Sequence, residues 1–436
     1  MINLMIVLAI VVSIIIGYRT KINTGIVAIL FAYVIGCFFL GLKSKEVIAM
    51  WPVSTMFSIM SITLFYGMGV VNGTLEKTAR YLLYYMRNYK SVLPFILFLI
   101  AVLVGGLGAG NFAVVAFMAP LSIMICHEAG INILAAAVAI NGGSLVGGNF
   151  MTSNLGIVFR QLAEEATTGT PLEGYASFSG QFLHFIVSFL FFGILVFAFT
   201  VLLGRKHTQE TVVTMECPEK FNTKQKLTLK LMILMLAIVL IIPIFHMLIP
   251  GNGVITYLNK KVDVSLMACV FAFIALCLDL APQKEVIAKV PWGTIVMVCG
   301  VGMLVQVAIS AGTIQFLASW IGANVPVAVV PVVFALVAGI MSFFSSTIGV
   351  VCPTLFPLIP TIAGATGISP LVLFTCTLVG SQSTACSPLS ASGSMIVGSC
   401  PTQKEQNELF EGLISKAVPI SLIFALIVAA ILSVLL

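Results

Sequence analysis

The chain alternates long apolar runs with short polar interruptions from one end to the other. In the first half the runs cover residues 2 to 17, 24 to 42, 51 to 72, 92 to 126, 131 to 159 and 180 to 203. Runs of that length match the roughly 20 helical residues that span a bilayer, and lipid-embedded backbone must satisfy its own hydrogen bonds, so the expected elements are helices. Between them, residues 73 to 90 carry Lys77, Arg80, Arg87 and Lys90 and read as an amphipathic segment. Two of the runs are broken from within: "GGLGAGN" interrupts 92 to 126, and "GGSLVGGNFMTSN" interrupts 131 to 159. The first reads as a hairpin with a glycine-rich tip, the second as a broken helix.

Composition turns this pattern into a class. Only 8 % of the 436 residues are charged and 60 % are hydrophobic, too little polar surface for a water-soluble domain. The chain is therefore expected to be an all-α polytopic membrane protein. Arg19 and Lys21 follow the first run and no basic residue precedes it, so it reads as a retained helix rather than a cleaved signal. The net charge of +6 fits basic loops against anionic lipid, with no nucleic-acid partner, because no basic patch interleaved with aromatics occurs. Cys269, Cys277, Cys299 and Cys376 lie in apolar runs and form no CxxC pair, which favours small buried hydrophobes over ligands.

The pentapeptide "KEVIA" occurs at 45 to 49 and again at 284 to 288. Further matches follow in order: Pro52 with Pro291, Gly73-Thr74 with Gly312-Thr313, Pro120 with Pro353, and Gly130-Ile131 with Gly367-Ile368. Two homologous halves result, with the polar stretch 205 to 228 as a cytoplasmic linker. Within them, 1 to 90 and 229 to 325 read as scaffold helices, and 91 to 204 and 326 to 436 as hairpin and broken-helix parts. If each hairpin turns back inside the membrane, each half crosses five times and the second is inverted. About ten transmembrane helices plus two re-entrant hairpins then place sixteen Lys and Arg inside against five outside (Lys43, Lys45, Arg160, Lys260 and Lys261).

The chemistry is expected where the uncharged runs break. No Asp, Glu, Lys, Arg or His occurs from Val290 to Gln403, which argues against a buried carboxylate relay there. No serine of these stretches has an activating neighbour in sequence, and no catalytic residue is expected. Instead, "GGLGAGN" (105 to 111) pairs with "SFFSSTIG" (342 to 349), and "SLVGGNFMTSNLG" (144 to 156) with "SQSTACSPLSASG" (381 to 393). Paired broken helices in inverted halves point to a secondary transporter's midplane site. Helix N-termini can hold a carboxylate through free N–H groups, while carbonyls, hydroxyls and the Asn111 or Asn154 amides can ligate a sodium ion. Ser144 and Ser381, first in their matched stretches, are cation candidates on that logic. His184 and His246 in apolar spans read as structural hydrogen-bonders, and His127 with Glu128 as a solvated interfacial pair.

"INTGIVAILFAYVIG" (22 to 36), "VVNGTLEKTA" (70 to 79), "GGLGAGNFAVVAFMAP" (105 to 120) and "SASG" (390 to 393) resemble the MatC-type dicarboxylate carriers, proposed malonate transporters of the ion transporter superfamily. The layout is more distantly similar to the divalent anion/sodium symporters of that superfamily. The resemblance implies a sodium-coupled symporter of small dicarboxylates such as malonate, succinate or malate, with protons as the alternative driver. It further implies a homodimer with an elevator mechanism in the cytoplasmic (inner) membrane of a bacterium, and no cofactor beyond the coupling ion. Carried over position by position, it points to Gly108, Gly110 and Asn111 at one tip, Ser345, Ser346 and Thr347 at the other, and Ser153, Asn154, Ser387, Pro388 and Ser390 at the breaks. Of these, Gly108, Asn111, Ser346 and Thr347 join Ser144 and Ser381 as sodium candidates. The second tip departs from the symporters' Ser-Asn-Thr signature. An antiporter or inorganic-anion carrier of the superfamily and a non-transporting membrane subunit are the competing readings.

Overall fold

The computed structural model describes residues 2–20, 22–86, 92–168, 178–203, 217–249, 252–400 and 402–435. Arg87, Lys90, half of the expected linker (205 to 216) and the side chain of Glu128 lie outside the described residues. All regular structure among the described residues is helical.

The first half runs α1 (Ile2–Thr20), α2 (Thr24–Tyr33, prolonged by a wider turn Val34–Phe39), α3 (Ser44–Ala49), α4 (Val53–Val71), α5 (Thr74–Met86), α6 (Leu93–Val104), α7 (Asn111–Glu128), α8 (Ile133–Gly148), α9 (Asn154–Thr167) and α10 (Phe178–Leu203). The second half runs α11 (Thr223–Leu248), α12 (Gly253–Lys261), α13 (Val264–Cys277), α14 (Gln283–Ala288), α15 (Trp292–Ser310), α16 (Thr313–Asn324), α17 (Val330–Phe344), α18 (Cys352–Leu355), α19 (Ile359–Thr366), α20 (Pro370–Ser383), α21 (Ala391–Gly398), α22 (Gln403–Gly412) and α23 (Val418–Leu435).

The halves repeat element by element. The two "KEVIA" segments form the short helices α3 and α14, and Pro52 and Pro291 cap α4 and α15. Gly73 and Gly312 turn those helices into α5 and α16 with φ of 73° and 74°, and Gly130 and Gly367 repeat the device at 65° and 74°. Residues that carry a Cβ rarely adopt such angles, so glycine recurs where the turn recurs. Helix α12 lies between the counterparts of α1 and α2, where the first half has a three-residue link (21 to 23).

Polar side chains start helices that open after these turns. Asn23, Asn132 and Asp263 accept the free N–H groups that begin α2, α8 and α13. Packing then sorts the helices. Every residue of α8 from Leu134 to Gly148, and every residue of α20 from Val372 to Ser383, is buried, so these two form the centre. Around them, α1, α2, α10, α11, α13 and α23 expose rows of large apolar side chains, among them Leu8, Leu30, Phe197, Phe273 and Ile427. Apolar faces turned outward on this scale fit a lipid surround.

Eight stretches among the described residues are long and apolar enough to cross a membrane. They differ from the ten expected spans. The second-half arms 327–344 and 347–366 reach span length themselves, whereas Thr24–Phe39, Val264–Cys277 and both broken helices are shorter. Breaking a helix at membrane depth shortens each piece, so length does not separate a hairpin arm from a span here.

Candidate functional site

The helices are interrupted at both positions expected as tips and at both expected breaks. α6 ends in a widened turn, Gly105 to Ala109, in which Gly108 has φ 93°; Gly110 (φ 74°, ψ 145°) then aims the chain into α7. A Cβ on Gly108 would lie 2.2 Å from the Tyr66 ring of α4, so that position tolerates only glycine. At the second tip, Ser345 and Ser346 are extended, and the Ser346 hydroxyl accepts the Gly349 N–H at 3.1 Å to start the returning arm. The breaks lie between Gly148 and Asn154 and between Ser383 and Ala391. Their far ends begin identically, with Ser153 and Ser390 as the capping residues of α9 and α21.

The two breaks are bolted together. Asn149 Nδ2 donates to Gln382 Oε1 at 2.9 Å, and Gln382 Nε2 donates back to Asn149 Oδ1 at 2.8 Å, with both side chains buried. Each break also holds a neighbouring arm: Ser153 Oγ donates to the Gly105 carbonyl at 3.0 Å, and Thr384 Oγ1 to the Gly339 carbonyl at 2.9 Å. The halves then exchange partners, since α21 packs on α7 and α9 packs on the returning arm of the second tip.

A cavity of about 230 Å³ opens at this junction. Its wall takes residues from the first turn of four helices: Asn111 of α7, Leu155 of α9, Thr347 of the returning arm and Ser392 of α21. Ser342, Ser345, Ser346, Gln382 and Ser390 add hydroxyl and amide groups, and among the described residues none that lines the cavity is charged. Helix N-termini carry about half a positive charge each, so four of them supply roughly two without a cationic side chain. The Asn111 Oδ1 is buried and has no hydrogen-bond partner, an acceptor left open at the head of α7. Buried acceptors are nearly always matched, and this one is suited to a donor or a cation.

Of the expected site residues, Asn111, Ser345, Ser346, Thr347 and Ser390 line this cavity. The others flank it. Gly110 lies beside the Asn154 amide, its Cβ position 3.1 Å from Nδ2, and Ser153 and Ser387 are fully buried in the break backbones with Pro388 between turns. Ser144 and Ser381, expected as cation ligands, do not line it. Their hydroxyls donate to carbonyls three residues back, Asn141 and Leu378, each at 2.8 Å, the usual satisfaction of a serine inside an apolar helix. Gly108 lies under Tyr66, which leaves Asn111, Ser346 and Thr347 as the sodium candidates on the cavity wall.

Sequence reasoning missed Gln382 and Asn149, although both stand in the quoted stretches, and it missed Ser342, Ser392 and Met297 of α15, which closes one side. Among the histidines, His246 Nδ1 lies 3.5 Å from Thr256 Oγ1 as expected of a structural role. His184 Nε2 is buried without a partner, and His127 pairs with Glu405 of the other half at 3.2 Å.

Comparison with known proteins bears on the first third of the chain most directly. Residues 1–148 match the family "Dicarboxylate carrier protein MatC N-terminus". The resemblance read from residues 22 to 120 is thereby borne out, and the matched region holds the first tip and all of α8. The whole fold is similar to that of the YdaH transporter of Alcanivorax borkumensis, with a TM-score of 0.61 over 89% of this chain and 86% of that one, at 18% identity. No curated protein matches the chain. The protein is a polytopic α-helical membrane protein.

Proposed function

We propose that the protein is a secondary active transporter, not an enzyme, which moves small dicarboxylates such as malonate, succinate or malate across the cytoplasmic membrane together with sodium. The observation that carries this reading is the uncharged cavity bounded by four helix N-termini drawn from both halves. Four half-charges are matched to a dianion, and a site without fixed formal charge can release its cargo on the other side. The MatC family match over residues 1–148 supports the same substrate class. Sodium fits the open Asn111 Oδ1 and the hydroxyls of Ser346 and Thr347 on the same wall, oxygen donors of the kind a hard cation takes. The seam between α4, α15 and the exchanged arms suits an elevator in which the tips and breaks move as one body against a dimeric scaffold.

Uptake of labelled malonate and succinate into proteoliposomes, with and without an inward sodium gradient, tests the proposal. Gradient-dependent accumulation is expected. No uptake under any gradient, together with no thermal stabilisation by dicarboxylates, rules it out.

A further inference from the structure

A second cavity, of about 270 Å³, lies farther along α9. Leu155 and Phe159 of that helix face the first cavity, whereas Leu162, Glu165 and Ala166 face the second. At 1.5 Å per residue, Glu165 is about 15 Å along the helix from Leu155. Phe159 lines one cavity and Phe356 the other, and their ring centroids are 6.5 Å apart, so an aromatic contact separates the two spaces.

The second cavity opens along the seam between α15 and α16 on one side and α9 with the arm α18–α19 on the other. Gln306, Gln315 and Thr361 contribute polar groups, and Glu165 is the one ionisable residue in its wall. Across the seam, Thr55 Oγ1 of α4 donates to Glu165 Oε1 at 2.7 Å. Among the described residues, Glu165 forms no ion pair. The titratable groups near it are Glu164, engaged by Arg160 at 2.8 Å on the same helix, and the Cys299 thiol of α15. Burial raises the pKa of the Glu165 carboxyl, the Thr55 hydrogen bond pulls it back down, and the Glu164 charge adds to the rise.

A carboxylate at a sliding seam meets a physical conflict. Its charged form is held by one hydroxyl of the stationary side, and moving it along α4 breaks that bond where the next hydroxyls of the helix, Ser58 and Ser61, are already engaged by Ser265 and the Phe57 carbonyl. The neutral form moves at far lower cost. We propose that Glu165 is a proton-binding site of the transport cycle: it takes one proton from water in the second cavity, and α9 moves past α4 only with the carboxyl neutral. The inference rests on the transporter reading above and adds a proton to its cycle.

The test uses the full chain in liposomes under a fixed sodium gradient, with labelled malonate uptake, expressed per malonate dianion present, followed between about pH 5 and 8. Wild-type uptake should fall as pH rises through the carboxyl's value, by up to tenfold per pH unit. Glu165→Gln should be flat, at the wild-type acid rate. Thr55→Val removes the hydrogen bond that favours the charged form and should move the wild-type fall to higher pH. A Glu165→Gln profile like the wild type's overturns the proposal, and so does a folded Glu165→Gln protein that is inactive at every pH. If no variant transports anything, the transporter reading falls while the proton site is still decided by infrared titration of the purified protein. A protonated-carboxyl band that persists above the ordinary glutamate range and vanishes in Glu165→Gln supports the site; its absence in the wild type overturns it.

Discussion

Asn149 and Gln382 satisfy each other across 233 residues of chain, with both side chains buried. Removing one partner strands a buried amide at a cost of about 1–3 kcal/mol, whereas replacing both with apolar groups of similar shape is close to neutral. Gln382→Leu should therefore lower the thermal midpoint of the purified protein, and adding Asn149→Leu should restore most of it. Simple additivity of the two losses would mean that the pair is not coupled. Asn111 and Ser346 differ in kind. Asn111→Ala removes the open acceptor at the head of α7 and should reduce dicarboxylate uptake at least about tenfold, equivalent to 1.4 kcal/mol, with little change in stability. Ser346→Ala also removes the cap on Gly349 and should lose about 1 kcal/mol of stability in addition to uptake. Wild-type kinetics in both would move the site elsewhere.

Among the elements, the two breaks are the informative ones. Gly156 and Gly393 each stand three residues past the capping serine, and a Cβ at either would meet a carbonyl of its own break, Phe150 O at 2.3 Å or Ser387 O at 2.0 Å. Gly156→Ala and Gly393→Ala should each destabilise by about 2 kcal/mol, read as a lower thermal midpoint, because the obstructing atom is backbone that cannot rotate away. An unchanged midpoint in either would show that the break opens freely. These serine and glycine positions were legible in the sequence because a repeat prints the same local requirement twice. So was the recurrence of Gly73 as Gly312 and of "KEVIA" in the second half, at positions that form turns and short helices. What could not be read was which group each polar residue meets. Ser144 and Ser381 share a position and a residue type, yet their hydroxyls are spent on their own helices, and nothing local distinguishes that from a ligand. The Asn149–Gln382 pair was hidden for the opposite reason: its partners occupy different positions in the two stretches, so the repeat does not mark them. Length does not sort spans from hairpin arms either, since α13 is only 14 residues whereas 327–344 and 347–366 reach span length.

At the scale of the whole molecule, the sequence argument for inverted halves remains a statement about sides of a membrane, and sides can be measured. In a background freed of exposed native cysteines, Lys43→Cys at the start of α3 and Lys224→Cys in the first turn of α11 should react with an impermeant thiol reagent from opposite faces. Reaction of both from one face would break the inverted arrangement and, with it, the sorting of basic residues. The partner exchange carries a further consequence. Because α7 finds its neighbour in α21 and α9 finds its neighbour in the arm that follows Ser346, neither helix has its final contact until the second half has been made. Through most of synthesis, then, the first half sits in the bilayer with these faces bare, and its maturation depends on the arrival of the second half. Biogenesis is built around the clasp between the halves.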